Sequence, residues 1–217
     1  MRGLFDPEGK FMRYGGKLWD MMWLNILVSI CSIPIITMGP ALAAMHYVLL
    51  KIYRAEESGI TKAFFKSFRD NLKQGIVIQT VFLAALYLLL TSMQLFGAMG
   101  GVVAGVAYWV VIVIMVVLFC TWLWTLILLS RYSNTVVNLT RSALAACLAH
   151  PFRSVLMGVF FLLPGFVFLF TDKVLLFVFV LGFTGPGFVH TLWYDPIFKK
   201  LEGAPAQSED DQQEDAE

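Results

Sequence analysis

The chain has 217 residues, of which 59% are hydrophobic and 14% charged, against about 45–50% and about 25% in soluble domains. So little charge cannot cover a water-facing surface, which excludes an ordinary soluble globule. The acidic residues crowd from Glu202 onward, where no lysine or arginine occurs. What remains is an all-α, polytopic transmembrane helical bundle with a polar tail. The formal net charge of +1 joins two opposite populations; it gives no reason to expect a nucleic-acid partner, and the bilayer is the partner to expect.

In chain order, a mixed-charge segment with Arg2, Lys10, Arg13 and Lys17 leads into a run, Met21 to Leu50, that holds no Asp, Glu, Lys or Arg. As one helix this run would be about 45 Å long at ~1.5 Å per residue, well beyond the ~30 Å of a hydrocarbon core. Pro34 and the pair Gly39-Pro40 argue for a break, since proline removes a backbone donor in a helix interior and suits a helix start. The expectation is two spans, 18–36 and 40–54, forming a Pro/Gly-broken hairpin. Residues 21–50 crossing once, crossing twice, or re-entering without crossing all remain open. Ala41-Leu42-Ala43 mimics a signal-peptide cleavage site, but the apolar stretch starts too late for a short h-region, so the segment is read as mature protein.

Further on, spans are expected over 75–96 and 102–130, joined by the charge-free turn Ala98-Met99-Gly100-Gly101. A last pair is expected over 155–170 and 174–194. Residues 1–200 then form one transmembrane domain of six hydrophobic helices. Residues 201–217 form an acidic tail without apolar period, expected to be disordered. With six crossings every lysine and arginine except Lys173 falls on one side, which by the positive-inside rule is the cytoplasm, with both termini. The localisation expected is the bacterial inner membrane, multi-pass.

Among the segments assigned to the cytoplasm, 61–74 reads as an amphipathic helix. Phe64, Phe65, Phe68 and Leu72 recur at helical spacing opposite Lys62, Lys66, Arg69 and Lys73,. It either lies on anionic headgroups or docks a partner through Phe64, Phe65, Phe68, Lys66, Arg69 and Lys73. Segment 131–153 shares a few residue types with it at a fixed offset, a weak hint of an internal repeat.

Chemistry is sparse. Asp20, Asp172 and Asp195 sit at the boundaries of expected spans and no carboxylate lies deep within one, against a proton relay of acids. No metalloprotease, phosphate-loop or nucleophile-elbow pattern occurs, and Cys31, Cys120 and Cys147 are read as small apolar packers. No catalytic residue, metal site or cofactor is therefore expected, and the chain is read as not an enzyme. One candidate polar face remains inside the membrane: Asn25, Ser29, Ser32 and Thr37, with His46 and Tyr47 on the next helix. Such groups either join helices through hydrogen bonds or line a narrow polar pocket.

The N-terminal third carries Gly3-Leu4-Phe5, Leu24-Asn25, Pro34-Ile35-Ile36-Thr37-Met38-Gly39, Tyr47-Val48, Leu50-Lys51, Glu56-Glu57 and Phe64-Phe65-Lys66-Ser67-Phe68. Over residues 3–74 this resembles the YesL-type family of bacterial membrane proteins. Pro40 and His46 stand where that family is expected to carry alanine and an aromatic residue. The resemblance implies genes beside carbohydrate-uptake ABC transporters, hence an accessory role in sugar uptake or sensing with ABC transporter subunits as partners. It brings no catalytic residues. The leading expectation is a non-enzymatic accessory or regulatory membrane protein. The alternative is a small homo-oligomeric transporter or channel for a neutral solute.

Overall fold

The computed structural model describes residues 10–54, 59–132, 134–170 and 182–203. Their regular structure is entirely helical. Helix α1 runs Lys10–Cys31, α2 Met38–Tyr53, α3 Ile60–Asp70, α4 Leu72–Met99, α5 Val102–Leu129, α6 Val136–Ala149, α7 Pro151–Phe170 and α8 Thr184–Gly203.

The first helix stops at Cys31, three residues before Pro34, because proline drives the residue ahead of it out of helical conformation. A 3-10 turn, Ile35–Thr37, then leads into α2. The break thus falls a few residues earlier than the sequence suggests, and Pro40 sits in the first turn of α2, where its missing N–H has no helical partner to lose. Helix α2 is the hub. Its residues from Gly39 to Met45 are all buried, and it packs against α1, α3, α4, α5 and α8. Its N-terminus lies almost backbone to backbone on α4. A Cβ added to Gly39 would lie 2.7 Å from the Gly75 carbonyl oxygen, and one on Gly75 would lie 2.8 Å from Pro40. Small residues at such a crossing are what lets two membrane helices approach closely.

Helices α3 and α4 are separated only by Asn71, whose Nδ2 donates to the Ser67 carbonyl, so α4 begins three residues before the expected span. Helices α4 and α5, 28 residues each, form a hairpin closed at Gly100 and Gly101, both with positive φ (66° and 85°), which favours glycine. Near this turn large apolar side chains face outward, Val102 and Val103 at 85% exposure and Trp109 at 68%. At the other end α5 is buried on every face from Cys120 to Ser130. Segment 131–153, between two expected spans, contains α6, which buries Leu139, Ala143 and Cys147 at four-residue spacing. Thr135 caps it, its hydroxyl accepting from the Asn138 N–H,. Helix α7 starts at Pro151, the favoured first position.

Three helical stretches among the described residues are long and apolar enough to cross a bilayer: Ile35–Tyr53, Leu72–Met99 and Val102–Leu129. A fourth would be the pair Val136–Ala149 and Pro151–Phe166, bent by 105°. The expected span over 174–194 falls partly outside the described residues, as does most of the tail. Within the described part, α8 starts only at Thr184 and carries Asp195 in its middle.

Candidate functional site

Two polar assemblies stand out from the apolar packing. The first is buried where α1, α2, α7 and α8 meet. Asn25 is fully buried, and its Oδ1 accepts from the backbone N–H of Phe183 at 2.8 Å and of Thr184 at 3.1 Å. It therefore caps α8 from another helix, satisfying donors that a helix start leaves bare. One face of α8 then buries Thr184, His190, Thr191, Tyr194 and Asp195. The His46 and His190 rings stack with centroids 5.9 Å apart, and Tyr194 meets His46 edge-on. His190 Nε2 lies 2.9 Å from the Met157 carbonyl, so that nitrogen carries the proton and Nδ1 is bare. Neither His46 Nδ1 nor His190 Nδ1 has a hydrogen-bond partner among the described residues. Thr191 Oγ1 donates to the Gly187 carbonyl and lies 3.1 Å from the Tyr194 hydroxyl. At the end of α2, Arg54 Nε and Nη2 both donate to Asp195 Oδ1, at 2.9 and 2.7 Å. That ion pair helps a carboxylate 2% exposed to sit inside the bundle,.

The second assembly is an open pocket of about 200 Å³ at the end where α3 leads into α4 and α5 terminates. Tyr47 forms part of its wall, with Lys66, Asp70, Asn71, Arg131 and Tyr132 around it. Lys51 Nζ lies 5.1 Å from the Tyr47 ring centroid, a cation–π contact. Gln74 of α4 ties the neighbouring loop down by donating to the Asn134 carbonyl. The pocket offers two cations, one carboxylate, an amide and two phenols, groups that can bind a polar ligand.

The six positions read as one intramembrane polar face do not form a single face, although Asn25 and His46 both belong to the buried cluster at α8. Asn25 caps α8, while the Ser29 hydroxyl donates to the Asn25 carbonyl. Thr37 Oγ1 lies 2.7 Å from the Cys31 carbonyl and 2.9 Å from that of Pro34, closing the turn. Ser32 Oγ is buried without a partner among the described residues. His46 joins the buried cluster, and Tyr47, one residue on, opens to the pocket. On α3 the aromatic side turns inward. Phe64 is fully buried, stacked with Phe68 and edge-on to Phe65. Lys66, Arg69 and Lys73 are exposed, and Phe65 is 38% exposed. The outward surface of α3 is thus basic, with Phe65 as its one large apolar contribution.

Sequence reasoning missed Arg54, Asp195, Tyr194 and Thr191 as parts of an interior cluster. Asp195 lies beside an expected boundary and looks solvated until its partner, 141 residues away, is known.

Among the described residues, helices of this length and apolarity around a sparse polar interior point to an all-helical membrane protein. Within that class, residues 21–93 match a family model described as a protein of unknown function, DUF624. The match takes in the second half of α1, the turn, α2, α3 and α4 as far as Met93. Neither a curated protein nor a solved structure matches the chain.

Proposed function

We propose that this chain is a non-enzymatic accessory protein of the bacterial inner membrane, of the YesL type, with both termini and the basic pocket in the cytoplasm. It would engage the membrane subunits of a carbohydrate ABC-type importer there. The observation that carries the reading is the pocket itself: an open, charged recess bounded by α3 and residues 129–132, at the end where the lysines and arginines of α3 gather. A positive-inside bias places such an end in the cytoplasm. The six-crossing arrangement belongs to the same proposal, since crossing twice over 21–50, unlike crossing once, keeps those cations and the N-terminal ones on one side. The alternative of a neutral-solute path has less support, because the polar groups of Asn25, Ser29 and Thr37 are engaged by backbone rather than aimed into a common lumen.

Charge reversal at the pocket tests it. Full chain carrying Lys66→Glu and Arg131→Glu, purified from native membranes in mild detergent, should lose at least about 90% of co-purifying importer subunits, equivalent to roughly 1.4 kcal/mol of binding. Quantitative mass spectrometry of the eluate checks this against the unaltered chain. Recovery of importer subunits at the same level from both, or from neither, contradicts the proposal.

A further inference from the structure

Helices α4 and α7 both lean on α5, and the wedge between them is a cavity of about 520 Å³. Phe82, Phe119, Trp122 and Phe161 wall it with aromatic faces, Phe82 stacking on Trp122 at 4.6 Å. The turn residue Ile35 and Met38 close one end. We propose that this wedge is a binding site for a single hydrocarbon chain of a bilayer lipid, held long enough to stay with the protein on purification.

Three observations select that occupant. The wall is almost purely apolar. The polar side chain of Gln79 contributes to it, but its Oε1 is taken by the Trp122 indole N–H at 3.2 Å, so water would not find the two to four partners it needs. A recess this large leaves its apolar lining without packing partners unless something fills it. Finally, the mouth opens on the bilayer side. Val155, Val159 and Leu162, which line it, are 47%, 53% and 56% exposed, and α4 and α5 are both long and apolar enough to span. Hydrocarbon is the medium at that mouth, and the gap left between two helices leaning on a third suits one chain rather than a helix.

The test uses the full chain in nanodiscs of phosphatidylcholine brominated midway along one acyl chain, with non-brominated nanodiscs as reference. Trp122 fluorescence is taken as the difference between the unaltered chain and Trp122→Phe. Bromine should remove most of that difference, at least about fivefold. Gly158→Leu should restore it, since a side chain at Gly158 meets only ordinary contacts with Phe119 and Cys120 and projects into the wedge. Val159→Phe at the exposed mouth is a second filled variant should the first fail to fold. Native mass spectrometry should show one retained lipid per chain, lost in both filled variants. Trp122 emission untouched by bromine, or quenched equally in the filled variants, overturns the proposal. So does disulfide capture of a second copy through Val159→Cys, which would make the occupant protein.

Discussion

Replacing Arg54 with alanine is expected to destabilise the bundle by about 3 kcal/mol, a large part of the net stability of a domain. The reason is that a buried carboxylate loses two charge-assisted hydrogen bonds and keeps less compensation for its charge. Asp195 is 2% exposed, and Arg54 donates to its Oδ1 twice. Arg54 itself is 19% exposed, so removing Asp195 instead should cost less, because the guanidinium can turn to water. Replacing both by apolar residues of similar volume, Arg54→Met with Asp195→Leu, should recover most of the loss, as buried ion pairs often do no better than packed hydrophobes. Reversible unfolding in mixed micelles, run as a double-mutant cycle, measures each of these. Equal losses for the Arg54 variant and the double variant would show that the pair is not the cause.

The second large effect is expected at Asn25. Changing it to alanine or leucine strips the cap from two backbone N–H groups, of which the one on Thr184 is fully buried. An unsatisfied buried donor costs about 1–3 kcal/mol, so about 2–3 kcal/mol is expected here. The loss should be local to α8. Amide hydrogen exchange should quicken first in residues 183–188 while α4 and α5 keep their protection. Uniform acceleration across all helices would mean that Asn25 supports the bundle through packing instead.

These two residues also show what a sequence can and cannot disclose. The helices were legible because bilayer helices need long charge-free runs and because Pro34 and Gly100-Gly101 interrupt them. Asn25 was legible as a polar group within such a run, yet its partner is backbone 158 residues away, and no local pattern marks a backbone partner. Asp195 misled for the opposite reason: a carboxylate near the end of an apolar run looks like a boundary, and only Arg54 reveals it as interior. Helix α6 was hidden because its apolar stripe, Leu139, Ala143 and Cys147, is short and built partly from small residues. On α3 the amphipathic period was plain, but an apolar face of Phe64 and Phe68 serves lipid, a partner or the chain's own core equally well. Its burial against α2 is a tertiary fact.

The same reasoning defines what the basic end can do. Because Phe64 is turned inward, a partner at α3 would meet Lys66, Arg69, Lys73 and the rim of the pocket, with Phe65 as the apolar contact. Recognition would then be electrostatic in character and weaken with ionic strength.

The central claim is that this end faces the cytoplasm. Cysteine labelling of the full chain in intact cells with a membrane-impermeant maleimide tests it most directly. Lys62→Cys and Asn134→Cys report the basic end, and Met99→Cys, 66% exposed beside the hairpin turn, reports the other. The account predicts rapid labelling at position 99 in intact cells, and at 62 and 134 only after the inner membrane is opened. Labelling of 62 and 134 from outside, with 99 protected, would contradict it.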